Sequence, residues 1–161
     1  MSEQKSRKPL VALVGGGCAA ALYLLTPQFE GVKNEPYQDV NGIWTVCAGN
    51  THGVEMRRYS DAECAQQLQD QLSDHAQDVL NCTPGLKDYP GPLVAAVDFA
   101  YNVGGAKYCA STMAKKFNAG DIKAGCAEFP KWTKAGGQVL NGLVKRRKAE
   151  QEICLNGLAA Q

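Results

Sequence analysis

The chain has 161 residues, 45% of them hydrophobic and 20% charged, with a formal net charge of +1. That suffices for one domain with a real core, and it argues against a disordered chain and against a strongly basic nucleic-acid binder. Seven cysteines, none in a C-x-x-C spacing, argue against a structural metal site and for disulfides formed in an oxidising compartment, so the chain needs a route of export.

Lys5, Arg7 and Lys8 form a basic head, and an uncharged, mainly apolar run follows over residues 10–25. That order begins a secretory signal, with the basic end held in the cytoplasm. As a helix the run reaches about 24 Å, short of a hydrocarbon core of about 30 Å. Its middle, from Gly15 to Ala21, is all small residues, which gain little from lipid. The segment 1–26 therefore reads as an anchor able to enter a membrane and leave it. Two alternatives stay open: a signal peptide cleaved at the alanines, and a lipid anchor on Cys18, which Gly15 opposes because a large apolar residue belongs there.

Residues 27–161 carry the domain. Thr26 is placed to N-cap a short helix with Pro27 in its first turn and Gly31 as its stop. Residues 37–48 read as a β-hairpin turning at Asn41-Gly42, and 49–59 as loop. Ser60 and Glu63 form a capping box for a helix to about residue 80. Residues 84–92 read as loop, and 93–103 as an apolar helix ended by Gly104-Gly105. Helices are expected over 111–118, 122–129 and 140–155, with breaks at Gly120 and Gly136-Gly137. The basic run Lys145, Arg146, Arg147 and Lys148 reads as the solvated face of the last helix, with pairing of Arg146 or Arg147 to an active-site carboxylate as the alternative. One small hairpin followed by helices is an α+β layout, mainly α.

Three residues carry the chemistry. Glu30 follows Phe29, and a carboxyl against an apolar neighbour is suited to stay protonated as a general acid. Asp39 lies on the hairpin in polar surroundings that suit an ionised carboxylate. Two carboxyls of opposite protonation are what glycoside hydrolysis needs, although 16 acidic residues offer many chance pairs. Thr45 adds a geometric test. A two-residue loop pairs Asp39 with Trp44 and turns Thr45 to the other face; an odd loop, Val40-Asn41-Gly42 with Gly42 left-handed, puts Asp39 and Thr45 on one face. The odd loop is expected. Six cysteines allow many pairings; joining neighbours gives Cys47–Cys64, Cys82–Cys109 and Cys126–Cys154, each worth about 2–4 kcal/mol.

Glu30, eight residues, Asp39, five residues, Thr45, with Glu30-Gly31, Pro36-Tyr37 and Trp44-Thr45-Val46-Cys47 around them, resembles the phage-type lysozymes, glycoside hydrolase family 24. The stretch from Phe99 to Gly104, Trp132, and Gly142-Leu143 before Arg146-Arg147 extend the likeness over residues 29–157. With its apolar N-terminus the chain is similar to the signal-anchor-release endolysins of that family. The resemblance implies a lysozyme-like fold, with a small hairpin lobe and a helical lobe. It further implies that Glu30 protonates the glycosidic oxygen between N-acetylmuramic acid and N-acetylglucosamine, while Asp39 and Thr45 hold the attacking water. The partners implied are peptidoglycan, the host inner membrane and the Sec export machinery, for a monomer with no cofactor, metal or nucleic acid. Leu25 and Glu30 are five residues apart, at most about 18 Å, so a tethered form is expected to be inactive until released into the periplasm. Cys18 is a candidate regulatory thiol, with Cys47 as its exchange partner, or else a small apolar residue. Tyr101 and Asn102 are read as lining the glycan groove or packing the helix. Where relatives have Gly-His, Gly49 is followed by Asn50; His52 and His75 are read as surface or structural, and Glu35 as solvated loop. A lytic transglycosylase and a non-catalytic wall-binding protein on this fold are the rival readings.

Overall fold

The computed structural model describes residues 6–159, so Lys5 of the basic head lies outside the described residues. The apolar run is not one rod. Helix α1 (Leu10–Val14) stops at Gly15, whose φ of +87° favours glycine, and α2 (Gly16–Glu30) starts beyond it. No helix among the described residues is long and apolar enough to cross a membrane. Leu10, Cys18, Ala19, Leu22 and Leu25 are instead buried in the main core, leaving Val11, Tyr23 and Leu24 exposed.

The structure corrects the reading of Thr26 and Pro27 as a helix start. Helix α2 runs through both, with Pro27 in its last turns, and Gly31 (φ +68°) closes it by donating its N–H to the Pro27 carbonyl. A proline here loses one helical hydrogen bond, and the burial of Leu22, Leu25 and Thr26 offsets that loss by packing the helix against the core.

Strands β1 (Lys33–Gln38) and β2 (Trp44–Cys47) form the hairpin, which starts four residues before the predicted boundary. Pro36 is tolerated because β1 is an edge strand. Tyr37 pairs with Thr45 and Gln38 with Trp44. Beyond them the Asp39 N–H donates to the Ile43 carbonyl, and Gly42, at φ +77°, donates back to the Asp39 carbonyl. The loop is therefore the three-residue Val40-Asn41-Gly42, and Asp39 shares a face with Tyr37 and Thr45.

Helix α3 (Asp61–Cys82) begins with the capping box of Ser60 and Glu63. The expected loop over 84–92 holds a 3-10 turn (Pro84–Asp88) and the first turn of α4 (Pro90–Val103), where Pro90 needs no donated hydrogen bond. Short helices α5 (Gly105–Ala110), α6 (Thr112–Asn118) and α7 (Ile122–Cys126) follow, and a 3-10 turn at Phe129–Lys131 replaces the predicted end of the 122–129 helix. The break at Gly136-Gly137 is a small second hairpin that the sequence reading missed. Strands β3 (Lys134–Ala135) and β4 (Gln138–Val139) flank it, and both glycines have positive φ, as a tight two-residue turn requires. Helix α8 (Asn141–Ala159) closes the chain.

Helix α4 is the spine, buried from Gly91 to Ala100 and packed by α2, α3 and α8. It meets α8 backbone to backbone: a Cβ on Gly91 would lie 2.5 Å from the Cα of Gly157. Disulfides Cys47–Cys64, Cys82–Cys109 and Cys126–Cys154 tie β2 to α3, α3 to α5, and α7 to α8.

Candidate active site

The last residue of α2 delivers Glu30 to the junction between the hairpin and the helical lobe. Phe29 beside it is half-buried against the core. A cation completes its surroundings: the Arg146 guanidinium lies 5.5 Å from the Phe29 ring and donates from Nη1 to Glu30 Oε1 at 2.6 Å. Gly49, after β2, passes close over the other oxygen; a Cβ there would stand 3.1 Å from Glu30 Oε2, and φ is +81°. Any side chain at position 49 would press on the carboxyl.

Arg146 and Arg147 are buried, which corrects the placing of the 145–148 run on a solvated face; only Lys145 and Lys148 are exposed. The reason is helical spacing. Arg146, Arg147, Glu150 and Cys154 form one stripe of α8, and that stripe faces α4. Arg146 donates from Nε and Nη2 to the two oxygens of Asp98, both at 3.0 Å, and Thr26 Oγ1 donates to Asp98 Oδ1 at 2.7 Å. Burial pushes the Asp98 carboxyl up, but hydrogen bonds and charge from Arg146, with help from Glu150 and Thr26, hold it below the usual carboxylate range. Burial and the Asp98 carboxylate push Glu150 well above that range, against the pull of Arg147 and Arg146. Arg147 Nη2 lies 3.3 Å from Glu150 Oε1.

On the hairpin, Asp39 is half-buried and its Oδ1 accepts from the N–H groups of Asn41 at 2.8 Å and Ile43 at 2.9 Å, which fixes the carboxylate in the loop. Thr45 is buried, and its hydroxyl donates to the Ile43 carbonyl at 3.0 Å. Tyr37, on the same face of the hairpin as Asp39 and Thr45, is half-buried. Burial, then Glu30, then Asp39 raise its phenol above the ordinary value, so both act on the same ring. Lys33 Nζ sits 4.2 Å over that ring. Asp39, Thr45 and Tyr37 thus share one face of the hairpin, and the charges of Glu30 and Asp39 both bear on the Tyr37 phenol.

The other expected residues are placed as follows. Tyr101 donates its hydroxyl to the Ala48 carbonyl, joining α4 to the end of the hairpin, and Asn102 accepts from Arg147 Nη2. His75 packs against Tyr101 with ring centroids 5.4 Å apart and planes tilted by 55°, and burial lowers its imidazole. His52 is exposed in the loop. Glu35 is solvated too, but on β1 rather than in a loop, 3.6 Å from Arg58. Cys18 is free and buried, its thiol 3.8 Å from the Pro90 carbonyl, while Cys47 is joined to Cys64. The alternative that the sequence offered for Arg146, pairing with a carboxylate of the site, is the one found at Glu30, whereas the parts played by Asp98, Thr26 and Tyr37 were missed. One signal was present: a lone aspartate inside the apolar run Leu93–Ala100 must find a buried cation or lose its charge.

Comparison with known proteins agrees with this geometry. The family model described as phage lysozyme matches residues 27–150. The SAR-endolysin of Enterobacteria phage P21 is 40% identical over 161 residues, covering 94% of this chain and 96% of its own. That of Enterobacteria phage PA-2 is 40% identical over 164 residues, with the same coverage. Among solved structures, the active form of P1 phage endolysin Lyz superposes with a TM-score of 0.78 at 25% identity, over 92% of each chain. With its α+β architecture, its hairpin beside a helical lobe and a sequence match along most of its length, the chain belongs to the phage lysozyme family.

Proposed function

We propose that the protein is an endolysin that hydrolyses the β-1,4 bond between N-acetylmuramic acid and N-acetylglucosamine in bacterial peptidoglycan. Glu30 protonates the glycosidic oxygen from Oε2, the oxygen beside Gly49, while Arg146 engages Oε1. Asp39 and the Thr45 hydroxyl hold and activate the water that attacks the sugar from the opposite face. The observation that carries this reading is the hairpin register, which turns Asp39 and Thr45 to one face with Tyr37, whose ring is within electrostatic reach of both carboxyls. The lytic transglycosylase reading uses the acid alone and leaves the paired Asp39 and Thr45 without a task.

Residues 1–26 act as an uncleaved, releasable anchor that carries the chain by the Sec route to the periplasmic face of the host inner membrane. The likeness to SAR-endolysins supports this, since it takes in most of that segment. The packing supports it as well. Gly15 breaks the apolar run into two short helices that fit the core of a protein free of lipid. While the segment spans a membrane, α2 is drawn off α4, and Glu30 on its last turn cannot meet Arg146. Once released the enzyme works as a monomer.

Clearing of outer-membrane-permeabilised cells by the wild type and by Glu30→Gln tests the chemistry. Removing the acid should cost about 10²–10⁴-fold in rate with the fold intact by circular dichroism. Unchanged clearing refutes the proposal. Products with reducing ends support hydrolysis, and anhydro ends refute it.

A further inference from the structure

The proposed chemistry leaves unexplained a set of charged groups sealed behind Glu30. Asp98 stands fully buried in the middle of apolar α4, and Arg146 reaches it from α8. Guanidinium is planar and rigid, so two bonds to Asp98 fix the direction of the third N–H, the one that meets Glu30 at 2.6 Å. Asp98 Oδ1, which accepts from Arg146 Nη2, also accepts from the Thr26 hydroxyl at 2.7 Å. Thr26 and Glu30 are four residues apart on α2, one helical turn, and so project to the same side. One helix therefore holds both ends of a relay: Thr26 to Asp98 to Arg146 to Glu30.

We infer that Thr26 and Asp98 are positioning residues that orient the Glu30 carboxyl through Arg146, an inference that rests on the reading of Glu30 as the general acid. Both are fully buried. The arrangement also makes the acid answer to the seating of α2. The hydroxyl finds Asp98 only when the helix lies on α4, and at that moment Glu30, one turn on, reaches the guanidinium.

Removing the hydroxyl and removing the Asp98 charge shift Arg146 in opposite directions. Without the hydroxyl, Asp98 loses one donor and draws Arg146 more strongly, away from Glu30. Without the Asp98 charge, the cation falls to Glu30. A cation drawn away favours the protonated acid, and a cation drawn closer favours the ionised one. Arg146 and Arg147 from α8, Tyr101 from α4 and Tyr37 from β1 bear on Glu30, and Asp98 reaches it through Arg146. Both substitutions act on Glu30 through Asp98 and its two bonds to Arg146.

The test measures kcat, KM and pH–rate profiles of the full-length, released chain on soluble, peptide-free glycan strands. Thr26→Val keeps the shape and loses the hydroxyl; kcat should fall about tenfold with KM within about twofold. Its alkaline limb, where the acid loses its proton, should move to higher pH, and Thr26→Ser should restore both. Asp98→Asn should move that limb to lower pH. A Thr26→Val enzyme with unchanged kcat and profile overturns the inference, and so does a loss of kcat with no movement of the limb. Glu30→Gln runs alongside. If it is inactive while Thr26→Val is normal, only the relay has failed. If it is active, the assignment of Glu30 has failed and the relay with it.

Discussion

Replacing Arg146 with methionine takes the cation out of the buried set while keeping a long, unbranched side chain. Arg146 is 3% exposed; it bonds twice to Asp98, which is 0% exposed, and once to Glu30. Stripping one partner from such a pair costs about 3–5 kcal/mol, because the remaining charge stays buried without compensation. A domain of this size loses about 2–4 °C of melting temperature per kcal/mol, so the midpoint should drop by about 6–20 °C near neutral pH. The pH dependence has a definite sign. In the wild type Asp98 lies below the usual carboxylate range: burial alone would push it up, and Arg146 outweighs burial. A carboxylate lowered in the folded state adds stability above its unfolded value of about 3.9 and loses it as pH falls through the folded value. Without Arg146, burial dominates, and Asp98 takes up a proton as the medium becomes acidic, which relieves the penalty. The gap between wild type and variant should therefore be widest near neutrality and narrow toward about pH 4. Thermal melts followed by circular dichroism across that range measure it. A gap under about 2 °C at neutral pH, or one that does not change with pH, refutes the reasoning.

Two further substitutions test the framework that holds the site. Gly91→Ala should cost about 1–3 kcal/mol, since its Cβ would lie 2.5 Å from the Gly157 Cα and neither backbone can swing aside; an unchanged melting temperature would contradict the close crossing of α4 and α8. Replacing both Cys126 and Cys154 with serine opens a loop whose ends are 28 residues apart. In the chain-entropy model this removes about 3–4 kcal/mol. Urea unfolding should show a lower midpoint and a steeper dependence on denaturant, and a curve identical to the wild type's would mean the bridge carries no stability.

Much of the hairpin and of α3 was legible because the deciding interactions are local. Ser60 and Glu63 are three residues apart and satisfy each other's backbone, whatever packs against the helix. The three-residue loop follows from asking Asp39 and Thr45 to share a face, since a strand alternates strictly. Gly31, Gly42 and Gly104 stand where the chain needs a positive φ. The second hairpin escaped notice because each of its strands is two residues long and alternation has no room to show.

Thr26 shows where local reasoning ends. A threonine before a proline satisfies every local rule for a helix start, yet its hydroxyl has a buried carboxylate 72 residues away, and that partner decides its role. The core-facing stripe of α8 is equally hidden: hydropathy marks an inner face by apolar residues, and here that face carries Arg146, Arg147 and Glu150. The partners of Arg146 lie 48 residues away at Asp98 and 116 away at Glu30. By itself the sequence determined the hairpin with its three-residue loop, the capping box of α3 and the glycine stops, all set by backbone conformation. Only the tertiary structure decided which charges are buried and whom they meet, because desolvation is a property of the packed interior and not of any stretch of chain.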